Sequence, residues 1–147
     1  MAVSHSTLTV SYSHFKNNQA NQIAGAIVDY LYSKVFVYHC SFVNNTAGLQ
    51  TGGIQVEANS SLTVNNCTFR DNYAGKYTGA ITLSTHSTAS VYNASFVNNT
   101  AGLYTGSILV DTDSTLLIIH SQFINNYAGH LVGALHITGE SKATVYN

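Results

Sequence analysis

The side chains able to work on a sugar or hold a cation are few in this chain. There are six acidic residues, and five of them, Asp29, Glu57, Asp111, Asp113 and Glu140, fall near the turn that follows a short apolar strand. Hydrolysis of a glycosidic bond needs two carboxyl groups, roughly 5–9.5 Å apart, one to protonate the leaving oxygen and one to attack or to activate water. Asp111 and Asp113 stand two residues apart, near enough to share a face. A lyase acting on uronates would also need Lys or Arg alongside, and none is aligned there. The expectation is that all five are solvated turn acids, with weak calcium binding as the chemical alternative and no catalytic residue assigned.

The seven histidines scatter over different positions. His39 and His120 share a repeat position but lie three repeats apart, too far to grip one ion; His86 and His130 fall in turns, and His136 falls on the outward side of a strand. No metal or other cofactor is expected. Cys40 and Cys67 occupy one repeat position in adjacent units, which implies buried thiols, or a disulfide if the side-chain geometry agrees. Sequons begin at Asn44, Asn59, Asn66, Asn93 and Asn98 and would accept glycans in a secreted eukaryotic parent. Thr51, Thr78 and Thr105 align in a file that breaks at Ala24 and Val132. An unbroken outward file of that kind would suit ice binding, which makes ice a minor alternative.

What positions these residues is an internal repeat. Phe15, Phe42, Phe69, Phe96 and Phe123 are spaced by 27 residues, and the same interval separates Asn18, Asn45, Asn72, Asn99 and Asn126. It separates Gly25, Gly52, Gly79, Gly106 and Gly133, and also Ser33, Ser60, Ser87, Ser114 and Ser141. No insertion or deletion disturbs the register. Within a unit the apolar residues alternate, as in Ile54, Gln55, Val56 and in Leu62, Thr63, Val64. That is the period of strands with one buried face. Asn44 to Gly48 and Glu57 to Ser60 carry turn chemistry. Each unit therefore predicts strands around Gly52–Val56, Leu62–Asn66 and Cys67–Phe69, three to a coil.

The fold class is all-β: a right-handed parallel β-helix of about five coils, a single solenoid domain over residues 1–147. Stacked in register, the Phe column makes an aromatic stack, the Asn column an amide ladder, and the Gly column a sharp corner.

Composition narrows the partners. Charged residues make up 7% of the chain, against roughly 25% in an ordinary soluble domain, and the net charge is −1. No basic patch can neutralise a phosphate backbone, so nucleic acid is not expected as a partner. No run of about 18 apolar residues is present to make a transmembrane segment. The first residues, Met1 to Ser6, lack the charged and apolar regions of a signal peptide. A surface dressed in Asn, Ser, Thr and Tyr suits an extracellular or cell-surface location.

The elements Phe42-Val43-Asn44-Asn45 with Gly52-Gly53-Ile54, and Phe69-Arg70-Asp71-Asn72 with Gly79-Ala80-Ile81, resemble the tandem repeats of chlamydial polymorphic outer membrane proteins. Phe15 to Ile27, Phe96 to Ile108 and Phe123 to Leu135 follow suit, although Ala26, Ala80, Ser107 and Ala134 replace the second glycine. The resemblance implies an autotransporter passenger type of protein whose repeats serve adhesion to a host-cell surface or glycan.

Residues Ser41–Gly48 and Ser95–Gly102 are identical, so a double-length repeat overlies the single one. This marks either a recent duplication or a designed chain. Both termini fall in mid-unit, Met1 just after the first strand, with no cap in sight. That predicts either a fragment of a surface passenger or a subunit that associates end to end into filaments. The functional expectation is thus a structural or adhesive repeat without catalysis. A polysaccharide-binding or polysaccharide-degrading β-helix enzyme is the alternative.

Overall fold

The computed structural model describes the backbone of residues 1–147 and every side chain except those of Ala2 and Val3. The chain winds as a parallel solenoid whose strands gather in four sheets. The first sheet stacks Ala2–Ser4, Ile27–Tyr30, Ile54–Glu57, Ile81–Leu83, Ile108–Val110 and Leu135–Ile137. The second stacks Thr7–Ser11, Lys34–Tyr38, Ser61–Asn65, Thr88–Tyr92, Thr115–Ile119 and Lys142–Tyr146. The third contains the five phenylalanines of the repeat column, in strands such as Ser41–Val43 and Thr68–Arg70, and the fourth consists of two-residue strands such as Tyr73–Ala74.

Each strand pairs with its equivalent one repeat away: Ile54 with Ile81, Leu62 with Ala89, Phe42 with Phe69. The fourth strand of the coil was not predicted, because two residues cannot display an alternation. The chain also enters within the first sheet, at Ala2–Ser4, where the repeat reading placed Met1 just after that strand.

Ladders of side chains hold the coils in register. Rings of successive phenylalanines stack at 4.7 Å for Phe15 on Phe42 and for Phe42 on Phe69, then at 5.0 and 4.9 Å on to Phe96 and Phe123. The asparagines are knitted tightly. Asn72 Oδ1 accepts both the backbone N–H and the Nδ2–H of Asn45, each at 3.0 Å. Asn45 Nδ2 in turn reaches back to the Phe15 carbonyl at 2.9 Å. These groups are fully buried, where an unpaired amide would cost roughly 1–3 kcal/mol. The serines form a second ladder, Ser33 N–H donating to Ser60 Oγ at 3.2 Å and Ser60 N–H to Ser87 Oγ at 3.3 Å.

The corners depend on unusual backbone. Asn17, Asn44, Asp71, Asn98 and Asn125 turn the chain between the third and fourth sheets, all with positive φ. Asn and Asp tolerate that left-handed region best among residues with a side chain. At the corner before the first sheet the requirement is space: a Cβ on Gly52 would run into the Gly79 carbonyl oxygen.

Candidate functional site

Strand alternation sends Val28, Gln55, Thr82, Leu109 and His136 to the outer face of the first sheet, as one column along the rod. Over the middle coils this face is the floor of a cleft of about 190 Å3. One wall is the turn before the sheet, with Gln50 and Tyr77; the other is the end of the sheet, with Glu57, Ser84 and Asp111. Tyr77 stacks on Tyr104 of the next coil at 5.0 Å, and Lys76 Nζ lies 4.9 Å from the Tyr77 ring centre.

The floor is polar and yet closed to water. Gln55 is 4% exposed and Thr82 7%. Gln55 Nε2 donates to Gln50 Oε1 at 2.6 Å and to Glu57 Oε2 at 3.3 Å, while Gln55 Oε1 accepts the Thr51 hydroxyl at 2.9 Å. Thr51 and Thr82 hydroxyls meet at 2.7 Å. Sequence reasoning did not single out Gln50, Gln55, Tyr77 or Thr82. The available signal was the outward column itself, where an amide and a hydroxyl stand side by side between Val28 and Leu109.

The acids divide into three groups. Glu57 and Asp111 come together on the cleft wall, in one column with Ser84 between them. Two rungs of roughly 4.8 Å separate their backbones, near the upper end of the carboxyl spacing that inverting hydrolysis uses. Asp113 and Glu140 sit exposed on bends, as expected of turn acids, and Asp113 is not part of the cleft; Asp111 Oδ1 caps the Thr112 N–H at 2.8 Å instead of pairing with it.

Asp29 overturns its expectation. It is not a solvated turn acid but an inward residue of the strand Ile27–Tyr30, 0% exposed. Its column continues as Val56, Leu83 and Val110, all fully buried. Neither carboxyl oxygen has a hydrogen-bond partner among the described residues, and burial pushes its pKa up to about 7. The 27-residue register had already aligned it with Val56, and its acidic type masked that alignment.

The threonine file is corrected as well. Thr51, Thr78 and Thr105 are fully buried, so they offer no outward array to ice. They bridge successive coils at the corner, and each hydroxyl faces the outward residue of the next coil. Thr51 meets Thr82, and Thr105 meets His136 Nδ1 at 3.3 Å. Thr78 has no partner, because Leu109 occupies that place.

Cys40 and Cys67 are buried free thiols. They act as serines do elsewhere in the same column. Each thiol donates to the carbonyl two residues back, Cys40 to Tyr38 at 3.2 Å and Cys67 to Asn65 at 3.3 Å, as Ser13 does to Ser11 at 2.8 Å. The Cys40 N–H also reaches Cys67 Sγ at 3.4 Å, and burial pushes the Cys67 thiol up to about 11.

The histidines stay apart; His39 stacks on Tyr12 at 4.9 Å, and no group of three or more metal-ligating side chains gathers among the described residues. The five sequon residues Asn44, Asn59, Asn66, Asn93 and Asn98 are all exposed, and all have positive φ. Left-handed backbone favours Asn at these bends independently of any glycan, and Tyr12, His39 and His120 take the same conformation in the column of Asn66 and Asn93. The Ser or Thr two places on begins or adjoins the next strand.

Four parallel sheets stacked at one 27-residue interval define the class, a parallel β-solenoid with a longitudinal polar cleft. The family described as "Right handed beta helix region" matches residues 1–127, and the chain belongs to it. No curated protein and no solved structure gives a match.

Proposed function

We propose that the chain is an extracellular structural or adhesive repeat, a rod that presents its faces to a host-cell surface or glycan and does no catalysis. The observation that supports this best is how the coil residues are used. The Phe, Asn, Ser and Gly columns all serve stacking, and the Asn ladder runs unbroken from Asn18 to Asn126. Such a rod holds surface groups at fixed intervals, which suits repeated weak contacts acting together. The resemblance of the Phe-x-x-Asn elements to passenger repeats points the same way. Beads coated with the chain and presented to cultured epithelial cells test the reading. Retention above that of an unrelated protein of equal charge is expected, and retention no better than that control overturns it.

A second reading is favoured by one observation, the placing of Glu57 and Asp111 two rungs apart on one wall of the cleft. In it the chain hydrolyses a polysaccharide, one carboxyl group acting as acid and the other activating water. Release of reducing ends from neutral or acidic polysaccharide, lost in Glu57→Gln and Asp111→Asn, would establish it and displace the first.

A further inference from the structure

The hydrogen bonds beneath the cleft run in one direction. Gln55 Oε1 can only accept, so the single hydroxyl proton of Thr51 goes to it. The contact between Thr51 and Thr82 then takes its proton from Thr82. Both amide protons of Gln55 are used in the same way, on Gln50 Oε1 and Glu57 Oε2. The donors of Gln55, Thr51 and Thr82 are thus all spent within the network. What it leaves for a ligand is acceptor capacity: a second lone pair on Gln50, the Glu57 carboxylate, and the Asp111 oxygen that does not cap Thr112. Among the described residues that line the cleft, the Gln50 amide N–H groups and the Ser84 and Tyr77 hydroxyls remain to donate, and no Lys, Arg or His is present.

We propose that this cleft binds an extended glycan of neutral or amino sugars, lying along the rod axis, and that it discriminates against uronates. The inference rests on the adhesive reading and names the ligand for it. Sugar hydroxyls, or the ammonium of an amino sugar, supply donors to these free acceptors, and a carboxylate supplies none. A uronate would also face two fixed negative charges with no cation in the lining to offset them. Leu109 and the Tyr77 ring give the apolar surface on which the C–H face of a pyranose packs.

The spacing agrees. Coils repeat at roughly 4.8 Å, close to the length that one ring adds to an extended oligosaccharide, so successive sugars meet successive coils. The buried Gln55 and Thr82 are already fixed by their bonds, so little side-chain entropy is lost on binding.

Calorimetric titration of the full chain with three probes tests this: a β-1,4-linked glucose tetramer, its glucosamine counterpart and a galacturonate tetramer. The first two should bind, and the third should bind about tenfold more weakly or not at all. Gln55→Val, which repeats the Val28 of the preceding coil, should weaken the glucose tetramer about tenfold while leaving the far-ultraviolet circular dichroism unchanged. Glu57→Gln gives a gain of function that misfolding cannot mimic, because it should raise affinity for galacturonate.

Equal binding of all three probes, or a Gln55→Val variant that binds as the wild type does, overturns the assignment. If neither neutral nor amino tetramer binds while coated beads still adhere, the cleft assignment falls and the adhesive reading stands. If the tetramers bind and the beads do not adhere, the reverse holds. Cleavage of a bound tetramer would support the site and overturn the non-catalytic reading.

Discussion

Replacing Asp29 by valine should stabilise the protein, and the gain should depend on pH. The carboxyl group is fully buried in a column of Val56, Leu83 and Val110, with no partner for either oxygen among the described residues. Its pKa stands at about 7 in the fold against 3.8 for the ordinary group. The folded state therefore holds this proton more tightly than the unfolded state. Below about pH 4 both states are protonated and the group costs little in linkage. Between pH 4 and 7 the unfolded chain ionises first, and stability falls as pH rises. Above pH 7 the loss is complete. A shift of about three units at 1.36 kcal/mol each gives a loss on the order of 4 kcal/mol. Asp29→Val escapes that loss and completes the aliphatic column, so at pH 8 it should melt roughly 10 °C above the wild type. At pH 4 the two should differ far less, and Asp29→Asn should follow the valine variant in sign. Melts by circular dichroism from pH 4 to 8 measure this. A difference between wild type and variant that is the same at both ends of the range would refute the account of Asp29.

Three further outcomes follow from the ladders and bends. Asn72→Ala removes bonds to Phe42 O and Asn99 Oδ1 and orphans the donors of Asn45, so it should cost about 2–4 kcal/mol in urea denaturation. Cys67→Ser should change stability by less than about 1 kcal/mol, since the serines of its column make the same bond; in the native protein Cys67 should resist a thiol reagent that titrates both cysteines under denaturant. Thr112 is β-branched at φ 53°, so Thr112→Gly should gain about 1 kcal/mol, read from the same urea curves.

The fold was legible because it is written in columns. A residue that must repeat every 27 positions reveals both the coil and its role in it, as Phe42 and Asn45 do. Other features escaped because they are relations between columns. The two-residue strand Tyr73–Ala74 has no periodicity of its own, and the cleft arises only when the Tyr77 turn and the Gln55 strand face each other across the corner. Residue type misled where it was trusted above position. Asp29 was read as an exposed acid despite sharing the register of Val56, and Thr51 as an outward hydroxyl although the corner buries it. The Asn ladder shows the opposite case, since position and chemistry agreed there.

That ladder also makes the rod a vector. Each Oδ1 of that ladder from Asn45 to Asn126 receives its protons from the coil before it, and the serine oxygens of theirs do likewise. Parting the stack at any rung would leave the backbone and amide protons of one Asn on one face and a bare amide oxygen on the other. Two faces that both offer oxygen, or both offer protons, have nothing to exchange along this line. The stack can therefore be extended or rejoined in one sense only, with every coil pointing the same way.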